Sequence, residues 1–272
     1  MPDDALLAAA DDGSLATDAG FQRQLDRVFA DPRTHETLWE FWNEWFALDK
    51  FTGFSAQRPG FKALAEGEHI GEAGHDHWKD MVQEVRDLTD LYAWKTEGSL
   101  EGLLTTDVSV TRSSDLAHLY GVQAWSGSGD YPRFTEGRAG VLQRAALLAS
   151  NLEQTNPFHR GAVVRRAVLC DGLASPDPNA LPPSSLDTPP LDPKTSTRKR
   201  FAAKVENNTL CSGCHASFSD IGYALEQFDA LGRFRKAEKV FDEQSGKLLA
   251  YPFTGESMCS MPHCVRSIAL SA

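Results

Sequence analysis

Cys211-Ser212-Gly213-Cys214-His215 is the stretch of sequence that says most about the fold. Its two thiols lie three positions apart, which is about one helical turn, and an imidazole follows directly after the second thiol. This C-x-x-C-H spacing is the signature of c-type haem attachment. Each thiol can add to one vinyl group of the same porphyrin, and the histidine can ligate its iron. The segment therefore predicts one covalent haem c, tethered by Cys211 and Cys214, with His215 as the proximal ligand.

The same cysteines also fit other kinds of site. Cys211 and Cys214 together with Cys259 and Cys264 give the pattern C-x2-C … C-x4-C, and four thiolates form a common tetrahedral zinc site. A disulfide or redox pair between Cys211 and Cys214 is a third interpretation. The spacing favours haem but leaves the other two open.

The bulk composition is that of a globular protein. The chain has 272 residues, of which 41% are hydrophobic and 24% charged, and its formal net charge is −11. Nucleic acid and anionic membrane surfaces repel so acidic a chain, so neither is an expected partner. No run of about 18 apolar residues occurs, and we therefore predict no transmembrane segment.

Apolar residues recur mostly at helical spacing, so the predicted fold is mainly α. Phe21, Leu25 and Phe29 share one face, and Asp31-Pro32 is a typical helix start. The aromatic residues that follow, from Phe41 to Phe46, are predicted to pack in a core. Further helices are predicted over residues 78–92, 99–105, 115–120, 137–150 and 161–170. The one predicted strand is the short segment Val108–Val110.

A proline-rich stretch marks the predicted domain boundary. Residues 176–193 hold seven of the 14 prolines, and such a segment forms an extended, semi-rigid linker. We therefore predict a helical region over residues 1–175, a linker over 176–200 and a small cytochrome c-like α domain over 201–272.

The residues that follow the motif resemble a known family. Residues 222–235 fit the pattern G-[FY]-A-L-E-x-[FY]-D-x-x-G-x-[FWY]-R. With the preceding C-x-x-C-H, they are similar to the C-terminal cytochrome c-like domain of multidomain proteins known from planctomycetes, most of whose domains have no known function. Ser219-Asp220 stands where that family usually has Asp-Pro, so this chain lacks the proline that would set the turn there. Residues 2–7, 115–121 and 156–161 are similar to further segments of the family, so the likeness covers nearly the whole chain.

The resemblance also implies a location and a larger protein. In the family, the segment similar to residues 2–7 lies well inside the protein, after further helices and an export signal. Residues 264–270 resemble the start of a family helix that continues. We therefore expect this chain to be a fragment truncated at both ends. Because covalent haem c is normally attached outside the cytoplasmic membrane, we expect the protein in the periplasm or cell envelope.

The sixth iron ligand is the main open question about the site. Low-spin cytochromes use methionine or a second histidine. Met261, beside Pro262, is the preferred candidate, with Met258 and His263 as alternatives. A five-coordinate iron, or a ligand from outside this chain, also remains open.

Two further groups of residues carry weaker expectations. A disulfide from Cys170 to Cys264 would join the helical region to the haem domain, whereas a Cys259–Cys264 bridge or free thiols would not. The histidines at 69, 75 and 77 could bind a metal, but their glycine-rich surroundings favour a solvated loop.

The predicted function is one-electron transfer in the cell envelope with an unidentified redox partner protein. A haem-dependent redox enzyme with an open iron coordination site is the first alternative. A zinc-stabilised interaction domain without turnover is the second. A filled sixth position would favour electron transfer, and an open one would favour the enzyme.

Overall fold

The protein is mainly α-helical, as predicted. The computed structural model describes residues 2–70, 76–96, 98–135, 137–173, 187–206 and 209–250. The helices in these ranges are α1 Asp4–Asp11, α2 Asp18–Phe29, α3 Arg33–Trp45, α4 Pro59–Leu64, α5 His77–Asp90, α6 Leu100–Thr105, α7 Ser114–Tyr120, α8 Ala145–Leu148, α9 Pro157–Val163, α10 Thr197–Glu206, α11 Thr209–His215 and α12 Ser219–Ala224. π-Helical turns at Leu91–Lys95 and Val164–Val168 extend α5 and α9.

Strands are few within these ranges. β1 (Val240–Phe241) and β2 (Leu248–Ala250) pair antiparallel, with Val240 opposite Ala250 and Phe241 opposite Leu248. The sequence did not predict this hairpin. The predicted strand Val108–Val110 is wrong, since it forms only an isolated bridge between Val108 and Arg133.

Local capping explains where several predicted helices begin. Ser99 caps α6 by accepting a hydrogen bond from the Gly102 N–H, and Ser113 caps α7 in the same way. The predicted helix over residues 137–150 is mostly wrong, because only the four-residue α8 and a 3₁₀ turn at Val141–Gln143 form there. Gly137 and Gly140 have φ values of 57° and 69°, which a right-handed helix does not allow.

By its internal contacts the chain divides into two units, residues 1–44 and residues 45–272. The predicted boundary lies in the proline-rich segment, of which residues 174–186 are outside the described ranges. Within the larger unit, α9 precedes that segment and packs against α12, which follows it. Whether residues 201–272 form a separate cytochrome c-like domain stays a prediction.

Buried ion pairs run through the core of the larger unit. Arg144 and Glu84 are both fully buried and form an ion pair with an N···O distance of 3.0 Å. The Tyr120 hydroxyl donates to the same carboxylate at 2.7 Å. Burial raises the pKa of Tyr120 and lowers the pKa of Arg138 to about 10. These groups are all neutralised or hydrogen-bonded by neighbours, as buried polar side chains require.

No helix in the described part of the chain is both long enough and apolar enough to cross a membrane. This finding agrees with the prediction made from the sequence.

Candidate functional site

The C-x-x-C-H segment is positioned by two helices that cross with their backbones in contact. A Cβ atom added to Gly222 of α12 would lie 1.8 Å from the Pro157 carbonyl oxygen at the start of α9. A Cβ added to Gly161 of α9 would lie 2.1 Å from the Phe218 carbonyl oxygen, just before α12. Only glycine permits so close an approach. The crossing therefore brings α9 next to the short turn that links His215 to α12.

Arg160 holds α9 in this position. Its side chain is buried, and its guanidinium makes five hydrogen bonds to the segments around it. The acceptors are the carbonyl oxygens of Leu148 (2.7 Å), Leu225 (2.9 Å), Phe228 (2.8 Å) and Asp229 (2.6 Å) and the Glu226 carboxylate (3.2 Å). One guanidinium thus joins the end of α8 to the segment that follows α12 through their backbone carbonyl oxygens.

The predicted site residues lie together at the end of α11. Cys211 is half-buried, Cys214 is exposed, and both sulfurs are thiols. His215 is the last residue of the helix, and its Nδ1 lies 3.1 Å from the Ser219 hydroxyl. With Nδ1 as the donor, this contact leaves Nε2 as the ring nitrogen that can bind a metal. Nε2 has no hydrogen-bond partner among the residues that the structure describes.

Aromatic side chains fix the His215 ring from the side. The Phe158 ring lies 4.1 Å from the His215 ring and 4.8 Å from the Phe201 ring, measured between centroids. The Phe218 ring lies 4.7 Å from His215. The imidazole is therefore held by packing on two sides and by a hydrogen bond at Nδ1.

A cavity of about 310 Å³ opens beside these residues, between α9, α10 and α11. This volume is within the usual range for a small-molecule or cofactor site. Its walls include Phe158, His159, Phe201, Lys204, Cys211 and His215. A second cavity of about 410 Å³, with Phe46, Phe51 and Trp78 in its wall, shares Asn156 and His159 with the first.

The two histidines of the first cavity favour the neutral form. Desolvation lowers the pKa of His215, and the nearby Lys204 ammonium lowers it further. Desolvation also lowers the pKa of His159, with additional contributions from the charges of Arg160 and Arg166. Neutral imidazole is the form that ligates metals.

Ser219 continues the site into α12. The serine is buried at the first position of this helix, and Tyr223 lies one turn further along. Burial raises the pKa of Tyr223 to about 12, although a hydrogen bond with Ser219 acts in the opposite direction. The position at which this sequence departs from the resembled family thus provides the group that contacts His215.

Several predicted residues lie outside the described ranges. These are the sixth-ligand candidates Met258, Met261 and His263 and the cysteines Cys259 and Cys264. The structure therefore tests neither the zinc site nor a disulfide from Cys170, which is exposed.

His77 does not lie in the solvated loop that the sequence predicted. It is buried at the start of α5, and its Nε2 lies 2.7 Å from the His69 carbonyl oxygen. His75 is not described. No group of three or more His, Cys, Asp and Glu side chains arranged to bind a metal occurs in the described part of the chain.

The sequence alone did not identify Phe158, Phe201, Lys204 or Ser219 as site residues. The sequence spacing could have identified Ser219, because it follows His215 by four positions, and side chains at that spacing meet on one face of a helix. No sequence signal identified Phe158 or Phe201, because the contact of Phe158 with His215 and that of Phe201 with Phe158 depend on how the helices pack.

Comparisons with known proteins match both halves of the chain to families of unknown function. Residues 1–122 match PSD4, described as Protein of unknown function (DUF1592). Residues 138–238 match PSCyt3, described as Protein of unknown function (DUF1588). Searches of curated proteins and of solved structures found no match. This pair of matches is consistent with the resemblance to the planctomycete multidomain proteins. The chain therefore combines a DUF1592-like region with a DUF1588-like region, and the second contains the C-x-x-C-H segment.

Proposed function

We propose that this chain binds one haem c covalently through Cys211 and Cys214, with His215 as the proximal iron ligand, and that it transfers single electrons. The observation that carries the proposal is the arrangement at the end of α11. There the two thiols and the imidazole of a C-x-x-C-H segment lie beside a cavity, with the imidazole already oriented by Ser219.

The donor set and its surroundings fit this cofactor. Two thiols on one helical turn can form the two thioethers, and Nε2 of His215 is left to reach the iron. Phe158, Phe201 and Phe218 provide an apolar surface for a porphyrin. Lys204, in the same wall, carries a positive charge that suits a haem propionate, and its ammonium also donates to the Asp187 carbonyl oxygen. When bound, the haem would supply one-electron chemistry at its iron.

The chain's own residues then have distinct roles. With Nδ1–H of His215 as the donor, the Ser219 hydroxyl accepts the hydrogen bond and leaves Nε2 for the iron. Phe158 and Phe218 restrict rotation of the imidazole and exclude water from it. Cys214 is exposed, so one attachment point lies at the surface, where a redox partner protein can approach.

Cysteine replacement tests the attachment. The full chain, expressed with a periplasmic c-haem maturation system, is expected to keep its haem through acid–acetone extraction, because thioethers do not dissociate. Cys211→Ala together with Cys214→Ala is expected to abolish covalent haem, as measured by the pyridine haemochrome spectrum. Cys170→Ala is the matched control and should keep a full complement of haem, since this exposed thiol is remote from the motif in sequence.

Two results would contradict the proposal. The first is a wild-type chain that carries no extraction-resistant haem after maturation. The second is stoichiometric zinc that the double cysteine variant loses, which would select the zinc interpretation of the same thiols.

We also infer a location in the periplasm or cell envelope. Thioether formation with haem normally takes place outside the cytoplasmic membrane, so a protein that uses it must be exported. Fractionation of the native protein is expected to place the haem-bearing form in the envelope fraction. Haem-loaded protein confined to the cytoplasm would contradict this inference.

A further inference from the structure

The cavity beside α11 contains a second imidazole. His159 belongs to α9 and lines the same cavity as His215 and Cys211, which belong to α11. Among the described residues of this wall, Cys211 is assigned to haem attachment, which leaves His159 as a second imidazole that can ligate haem iron.

We propose that His159 is the sixth ligand of the haem iron that His215 binds. This inference rests on the proposed function, since it requires the haem. It gives the protein bis-histidine coordination, which is typical of low-spin electron-transfer cytochromes.

The backbone around His159 is fixed before any cofactor binds. The Asn156 side chain accepts a hydrogen bond from the His159 N–H at 3.0 Å, which caps the start of α9. The next residue, Arg160, anchors the helix through its five buried hydrogen bonds, and Gly161 holds it against α12. A ligand on such a rigid support loses little conformational entropy when it binds a metal.

The side chain of His159 is also available for ligation. The residue is partly exposed to solvent, and its side chain makes no hydrogen bond to any residue that the structure describes. A histidine kept for structural reasons would usually be hydrogen-bonded, as His77 is to the His69 carbonyl. The His159 imidazole could therefore bind a metal without first breaking a hydrogen bond to a described residue.

Coordination of this kind has a direct spectroscopic signature. The ferric wild-type chain, matured with haem, is expected to show a low-spin electron paramagnetic resonance spectrum without added ligand. His159→Ala is expected to convert most of this signal to high-spin, and added imidazole should restore the low-spin form by filling the open position. His159→Met should remain low-spin with an altered spectrum, because a thioether can take the same place.

His118→Ala is the matched control. His118 is an exposed histidine of α7 and does not line the cavity, so its removal should leave the spin state unchanged. Circular dichroism and thermal unfolding of each variant show that the fold is kept. The pyridine haemochrome spectrum gives the amount of covalent haem in every sample.

The outcomes separate this inference from the proposed function. Covalent haem with a low-spin spectrum in His159→Ala would overturn the inference alone and place the ligand elsewhere, with Met258, Met261 and His263 as the next candidates. A wild-type chain that carries covalent haem but is high-spin would also overturn the inference, because the iron would then lack a strong sixth ligand. Absence of covalent haem from the wild-type chain would overturn both.

Discussion

Arg160→Met is expected to lower the free energy of unfolding by about 3–5 kcal/mol, which is the usual cost of removing one partner from a buried ion pair. The Arg160 guanidinium is buried and bonded to Glu226 and to four backbone carbonyl oxygens. Methionine fills a similar volume but donates no hydrogen bond, so the Leu148 and Phe228 carbonyl oxygens would lose a buried donor. The carbonyl oxygens of Leu225 and Asp229 would keep only their backbone N–H donors. Glu226 keeps Thr155 and Arg235, which limits the loss at the carboxylate itself. Urea unfolding monitored by circular dichroism measures the effect.

Two further variants show whether the loss of stability comes from the hydrogen-bond donors of the Arg160 guanidinium. Arg166→Met removes an exposed arginine from the same helical segment. The Arg166 side chain makes one hydrogen bond, of 3.3 Å, to the Leu173 carbonyl oxygen, so we expect its loss to change the free energy of unfolding by less than about 0.5 kcal/mol. Arg160→Lys keeps the charge but cannot reach all five acceptors, so we expect an intermediate loss. A loss below about 1 kcal/mol for Arg160→Met would show that Arg160 does not hold α9 in place.

The sequence predicted helices well where one apolar face dominates. In α5, Met81, Val85 and Leu88 recur at helical spacing and are all buried, so periodicity and tertiary burial agree. The segment over residues 137–150 failed because its two left-handed glycines and the buried Arg144 are set by contacts with distant parts of the chain. Arginine is ordinarily exposed, so no sequence pattern shows that Arg138, Arg144 and Arg160 lie in the core.

The site residues likewise fall into those that are close together in the sequence and those that only the fold brings together. Cys211, Cys214 and His215 lie on one helix, so their spacing in sequence already fixes their proximity in space. Phe158 and His159 are more than fifty residues away and reach the cavity only through the crossing of α9 and α12. The motif could therefore be found from the sequence, whereas the wall opposite it could not.

Gly222→Ala tests that crossing directly, and we expect it to lower the free energy of unfolding by about 3 kcal/mol. The added Cβ would lie 1.8 Å from the Pro157 carbonyl oxygen and 2.7 Å from its carbonyl carbon. Both are backbone atoms, so the clash cannot be relieved by a side-chain rotation, and α9 must move away from α12. Such a shift would also move His159 relative to His215 and reduce the yield of covalent haem.

Gly213→Ala provides the same chemical change without the clash. A Cβ at Gly213 meets no atom within 4 Å, and alanine favours helix over glycine by about 1 kcal/mol. This variant should therefore be as stable as the wild-type chain or slightly more stable.

Gly161→Ala should resemble Gly222→Ala, because its Cβ would meet the Phe218 carbonyl oxygen from the other side of the same contact. Since either substitution forces the two helices apart, the double variant should lose less stability than the sum of the single losses. Additive losses, or a stable Gly222→Ala, would mean that the close approach of α9 and α12 does not position the site.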